Sequence, residues 1–193
     1  YGTDYYKRYN LVGKINTALA DWWDVRYQAR FVKDIREYPS QTRAWDYDMI
    51  FRQIPRTVPT QAKYTGYGTY NIQSKIPFVE DSGTKKYETR ENWHTLGTEI
   101  RPVKGWKING EFAYRSTDYL RTNLYLTFYE HYINKEYVAN AQSVPNSLER
   151  IHQISTYWTT NIYSSYDFSL KNHNFHIMAG TQYELNQSNY LNG

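Results

Sequence analysis

The chain of 193 residues contains no cysteine, which excludes a disulfide framework and any thiolate metal site. No run approaches the about 18 consecutive apolar residues of a membrane-spanning helix. Spanning by β-strands stays open, because a strand spreads its apolar residues over every second position. Charge of one sign is not in large excess either. The 23 basic and 19 acidic residues are interleaved, for a formal net charge of +4, which reads as solvated surface and not as a nucleic-acid face. There is no Gly-rich phosphate loop and no G-x-S-x-G elbow. Of the histidines, His173 and His176 are close in sequence, but on a strand that spacing points them to opposite faces, so they make a poor metal pair. The stretch EDSGTKK at 80–86 lacks the spacing of a calcium loop and reads as a loop tip. No catalytic set and no cofactor is expected. The chain opens on Tyr1 with neither Met nor signal peptide, which is read as a piece of a longer protein.

What is abundant is the aromatic ring. Tyr occurs 22 times, Phe 7 and Trp 6, together 18% of the chain, in a sequence of negative mean hydropathy. Soluble cores are built on Leu, Ile and Val. Tyr, with an apolar body and a polar tip, suits boundaries between water and an apolar phase.

The aromatics fall into alternating runs. In YSSYDFSLKNHNFHIMAGTQYE (163–184), Phe175, Ile177, Ala179, Thr181 and Tyr183 alternate with His176, Met178, Gly180, Gln182 and Glu184. Period two means a strand with unlike faces. Three such hairpins are expected, at about 6–36, 87–117 and 151–186, with tight turns at 20–24, 102–105 and 169–173. The strand before the second turn is irregular: Leu96, Thr98 and Ile100 share the apolar parity, but Trp93 does not, which allows a bulge. The connections between hairpins are long, about 38–86 and 118–150.

Short and long connections therefore alternate strictly. An antiparallel barrel in an outer membrane has this form, with short periplasmic turns and long outward loops. Trp22, Trp23, Trp106, Phe168 and Phe175 at the turn ends fit an aromatic girdle. The competing reading is a soluble β-protein with aromatic corners. On the barrel reading, Phe31, Ile108, Phe112 and Ile177 face lipid. Lys14, Arg26, Arg30, Lys107, Glu111 and Arg115 face a lumen, where Asp167 and Glu184 also stand. Six strands cannot close, and lipid tolerates no free sheet edge. The fold class expected is thus all-β, an antiparallel transmembrane barrel segment of about six strands from a larger barrel, since closed single-chain barrels need about eight or more.

Three stretches resemble the SusC/RagA-like TonB-dependent transporters of Bacteroidetes. TTNIYSSYDFSLKNHNFHIMAGTQYE carries the resemblance through Tyr166, Asp167, His173, Asn174, Ala179, Gly180 and Glu184. IRPVKGWKINGEFAY carries it through Pro102, Lys104 and Gly105. YNLVGKINTALADWWDVRYQARF is similar to a third hairpin of that family. The resemblance covers the hairpins and not the long connections. It implies a barrel of roughly 22 strands with a plugged lumen. It further implies energy delivered through TonB, a SusD-like surface lipoprotein as lid, and oligosaccharide or peptide cargo. The family's plug and TonB box have no counterpart in this sequence.

An outer-membrane active importer is therefore expected, with a passive porin or a soluble carbohydrate-binding β-domain as alternatives. Substrate contact is expected from Trp45, Tyr47, Tyr64, Tyr67 and Tyr70, whose flat faces suit sugars or peptide side chains; packing against neighbouring loop is the plainer reading of any one of them. Aromatics such as Tyr129 and Tyr132, with Arg43, Arg52, Arg56 and Glu130, suggest a charged docking surface for the lipoprotein.

Overall fold

The computed structural model describes residues 4–44, 47–60, 62–72, 74–132 and 136–193. The fold is all-β. Six long strands, β1 (Tyr5–Ala20), β2 (Trp23–Pro39), β3 (Thr84–Ile100), β4 (Trp106–Tyr125), β7 (Ser147–Leu170) and β8 (His173–Asn192), form one antiparallel sheet in the order β1-β2-β3-β4-β7-β8. The connection after β2 carries α1 (Tyr47–Gln53), a 3₁₀ turn (Ile54–Arg56) and α2 (Pro77–Glu80). The connection after β4 carries a small hairpin of β5 (Tyr129–His131) and β6 (Tyr137–Ala139).

Because the sheet is a meander, all three tight turns lie at one end and both long connections at the other. The hairpins continue past the expected limits. β4 runs to Tyr125 and β7 begins at Ser147, paired residue by residue with each other. Strands of 16 to 24 residues far exceed the usual 3–10 of a globular sheet.

Register decides which side chains share a face. The pairings give rows such as Ile15–Tyr27–Leu96–Phe112–Thr160–Tyr183. The opposite face of the pleat gives Val12–Arg30–Trp93–Arg115–Tyr157–Asn186. Phe31, Ile108, Phe112 and Ile177 stand on the first face; Lys14, Arg26, Arg30, Lys107, Glu111 and Arg115 stand on the second. The pairing of β3 with both neighbours is continuous, so the bulge allowed at Trp93 is absent. Trp93 belongs to the polar face, where it lies 4.9 Å under the Arg115 guanidinium. The one irregularity falls at Ala18/Ala20, beside the first turn.

The ends of the hairpins are staggered. Followed along the ladder, Ala20, the last residue of β1, leads through Trp23, Ile100, Ile108 and Ser164 to Ala179. Ala179 lies six residues inside β8, which begins at His173.

Among the described residues, no second layer covers the sheet. The accessible surface is 13289 Å², against about 9,700 Å² for a compact monomer of 23.1 kDa. Leu11 is 70% exposed and Tyr183 64%. A buried cluster sits at the loop end, where Ile50, Phe78 and Phe128 pack with Val79 and the two phenyl rings meet edge-on at 4.7 Å. Ser82, fully buried, ties this cap to the sheet. Its hydroxyl donates to the Phe78 carbonyl at 2.8 Å and accepts from the Gln41 amide at 2.9 Å. Its carbonyl accepts from the Ser40 hydroxyl and from the Leu126 amide. The 80–86 stretch is therefore a junction that buries Ser82 and Lys85 and runs into β3, and not a loop tip.

Gly83 stands beside it with φ of +97°, and an added Cβ would run into the Leu124 carbonyl. Gly83→Ala should destabilise the cap by about 1–3 kcal/mol through backbone strain and this contact. Hydrogen exchange should show faster exchange across 74–83 and 126–143 with the six-stranded ladder unchanged; unchanged cap protection would refute the junction's role.

Candidate functional site

The two long connections are built into one cap. The Ile72 amide donates to the His131 carbonyl at 3.2 Å, and the His131 amide donates to the Tyr70 carbonyl at 3.0 Å, forming a parallel bridge between Asn71 and His131. Among the expected contact residues, Tyr64 and Tyr70 come together. They pair across a small turn and stack with centroids 5.4 Å apart, and the Lys63 ammonium lies 4.7 Å from the Tyr64 ring. Thr65 and Thr69 hydroxyls bond at 2.8 Å across that turn, and Tyr67 stands exposed at its tip. The Tyr70 hydroxyl donates to Glu80. That bond, followed by burial, raises the Tyr70 hydroxyl well above the usual phenol range. Trp45 lies outside the described residues. Tyr47 opens α1, on the same connection but away from the Tyr64–Tyr70 turn in sequence.

A second aromatic group was not among the expected contact residues as a set. On the β5–β6 hairpin, Tyr129 and Tyr137 stack at 4.6 Å and nearly parallel, and His131 lies 4.4 Å from Tyr137. Period-two spacing of Tyr129 and His131, with Tyr137 a few residues further on, was the signal available. Glu130, on the opposite side of that hairpin, is only 4% exposed. It therefore cannot serve in a charged docking rim. Its carboxylate accepts from the Asn140 amide at 3.1 Å.

The polar face of the sheet forms the second element. Arg115 is held between Trp93, at 4.9 Å, and Tyr157, at 5.4 Å. Lys14, Arg26 and Arg30 have no ion-pair partner among the described residues. Arg26 lies over Gly97, 3.6 Å from where its Cβ would be, at an open recess of about 270 Å³ with Lys14, Gln28, Thr95 and Glu111. His176 Nδ1 stands 2.6 Å from Asp167. Glu111 on β4 and Glu184 on β8 are separated by β7, where they pair with Asn161 and Thr159, so the two carboxylates do not form a couple. No group of three metal-ligating side chains occurs among the described residues. Such a wall can attract anions and stack flat groups.

On the apolar face, several polar tips are bonded to neighbours on that face. The Trp23 indole donates to the Thr98 hydroxyl and the Trp106 indole to the Ser164 hydroxyl, each at 2.8 Å. The Tyr27 hydroxyl meets His94 Nδ1 at 2.8 Å, which accounts for a histidine on this face.

Comparison with protein-family models and with curated proteins finds no match.

Burial raises the Glu130 carboxyl above the ordinary carboxylate range, while the Asn140 amide and the Lys75 charge pull part of the way back. Because the folded value lies above the unfolded one of about 4.3, its contribution to the cap is complete in acid and is lost as pH rises through the folded value. Glu130→Gln should therefore flatten the decline of cap protection on going from acid to neutral pH. Asp81, also raised by burial and by Glu80, leaves a remainder. Limited proteolysis of the 126–146 connection against pH measures this; a wild-type slope in the variant would count against it.

Proposed function

We propose that the chain is part of the wall and outer loops of a transmembrane β-barrel in a bacterial outer membrane, and that the barrel is an importer of oligosaccharide or peptide cargo. The observation that carries the reading is a broad face of the sheet without a single Asp, Glu, Lys or Arg. It takes in 11–19 on β1, 23–31 on β2, 92–100 on β3, 106–116 on β4, 156–168 on β7 and 175–187 on β8, alternate positions only. The same stretches carry Lys14, Arg26, Arg30, Glu99, Glu111, Arg115 and Glu184 on the other face. In a hydrocarbon phase this division is required; in water the uncharged face would need a second layer packed on it, and none is present among the described residues.

The stagger supports the same reading. Six residues of drift over five inter-strand steps corresponds to a strand tilt of about 40°, from 3.3 Å per residue and 4.8 Å per strand, within the 35–45° of closed barrels. Along β7 the uncharged stretch covers about 40 Å of strand, or about 30 Å in height at that tilt, the thickness of a bilayer's hydrocarbon core. The sheet's free edges at β1 and β8 then pair with strands beyond those described, as lipid requires.

The cap's stacked tyrosines and the aromatic–cation wall suit flat, polar cargo. The resemblance to SusC/RagA-like transporters supports TonB-energised uptake through a plugged barrel, with a SusD-like lipoprotein seated on the long loops.

Phe112→Arg should destabilise the barrel by about 2–4 kcal/mol near the midplane, and Glu111→Arg by much less. Equal penalties in a refolding titration would overturn the assigned faces, and extraction of the full-length protein by buffer without detergent would overturn the membrane reading. Tyr64→Ala with Tyr70→Ala should slow cargo uptake by cells several-fold at unchanged surface abundance. Uptake that persists without TonB would make the protein a passive porin instead.

A further inference from the structure

Directly beyond the uncharged belt, toward the loop end, the same face of the sheet becomes charged. Register is unbroken there, so the next three rows are a continuation of the apolar face and not of the polar one. They carry five bases, Lys7, Lys33, Lys86, Arg90 and Arg150, against three carboxylates, Glu37, Glu88 and Asp118. Two of the acids are shared. Glu88 meets Lys33 at 3.3 Å and Arg90 at 2.5 Å, and Asp118 meets Arg90 at 3.8 Å and His152 at 2.7 Å. The result is an ion-pair ladder across β2, β3 and β4, continued to β7 by the hydrogen bond between Asp118 and His152. Lys7, Lys86 and Arg150 have no carboxylate partner among the described residues. Arg90, Arg150 and His152 border, with Glu88 and Asp118, a recess of about 320 Å³ whose floor is Leu120.

We propose that this ledge binds the phosphorylated head group of a membrane lipid in the leaflet on the loop side. The inference rests on the transmembrane reading above. Next below the ledge on β1 and β2 lie Leu11 and Phe31, where acyl chains end on that reading, so head groups begin just above them, at Lys33; the same row continues as Asn92, Ser116 and Thr156 and, at the strand tilt, rises toward the loop side from β1 to β7. Phosphate is the anionic group of lipids, and guanidinium recognises it with paired donors. The two shared carboxylates hold Lys33, Arg90 and His152 in place, and the surplus of cations is left for the lipid. A soluble anion has no use for a site that continues an apolar face.

The test uses the full-length protein in nanodiscs of phosphatidylcholine, with diphosphorylated or dephosphorylated lipid A added, and counts retained lipid by native mass spectrometry. The diphosphorylated form should be retained and the dephosphorylated form lost. Lys86→Gln with Arg150→Gln, two cations outside the ion-pair ladder, should weaken retention roughly thirtyfold, from the attraction of two surface cations. Lys107→Gln, on the polar face at the turn end, should leave it unchanged. Equal retention by the double variant, or of both lipids, in a protein that still inserts and resists detergent unfolding overturns the head-group site alone. Displacement of the lipid by millimolar inorganic phosphate would show a free-anion site and also overturn it. A protein that does not insert overturns the transmembrane reading and this inference together.

Discussion

Backbone pairing carries this structure almost alone. A sheet with no second layer has no core to choose its register; the ladder must hold it, aided by cross-strand pairs. A slip of one residue would send every side chain of a strand to the opposite face. Here five pairings hold their register over their full length, apart from the step at Ala18/Ala20. The cross-strand contacts reinforce it at both ends: Trp23 with Thr98 near the turns, Tyr38 with Tyr87 near the loops. The chemical separation of the faces is a consequence of that register, and the functional reading is a consequence of the separation.

The two faces solve opposite problems. On the uncharged face, three of the polar tips are bonded to neighbours on the same face: Trp23 to Thr98, Trp106 to Ser164 and Tyr27 to His94. This is what a polar atom needs where water is absent. On the other face, Lys14, Arg26 and Arg30 stand without ion partners among the described residues and Arg115 is stacked between rings. Unpaired cations are stable only where water or a mobile anion can reach them. The pattern is the one that the proposed transmembrane reading requires, a dry side and a wet side on a single sheet.

Much of this was legible in the sequence because strand periodicity is a local property. Phe175, Ile177, Tyr183 and their partners announce their face within a dozen residues, and the turns at Asp21–Trp22, Pro102–Gly105 and Lys171–Asn172 announce themselves by polar or Gly-containing gaps. What period two could not show was where the strands stop. From Thr117 to Tyr125 both faces of β4 carry polar or charged residues, such as Asp118 and Arg121, so the alternation that marks a half-apolar strand disappears although the ladder continues. Trp93 is out of phase in the pattern for a related reason: an aromatic ring counts as apolar there, whereas its partner in space is a guanidinium. The cap was the least legible part. Ile50, Phe78 and Phe128 are far apart in the chain and meet only in space, and nothing in EDSGTKK marks Ser82 as the residue that four hydrogen bonds converge on. Of the expected contact residues, Tyr64 and Tyr70 meet across a Gly-containing turn, whereas the Tyr129–Tyr137 stack depends on a three-residue hairpin too short for periodicity to reveal.

The cap and the sheet also differ in how they can move. The sheet opens only by breaking long ladders in concert, whereas the cap is held by one small apolar cluster and the hydrogen bonds around Ser82. The free energy of a local opening rises with the apolar packing and the hydrogen bonds that it breaks, so the cap is the part able to reorder while the wall stays fixed. Its attachment makes that reordering directional. Ser40 and Leu126 bind the Ser82 carbonyl at the loop-side ends of β2 and β4, so the hinge lies at the rim and the tyrosine hairpins lie beyond it. On the importer reading proposed above, a rigid wall with a displaceable, aromatic cover attached at its rim is a division of labour suited to admitting large cargo: the cover would provide adaptable contact, and the wall would keep lipid and lumen apart.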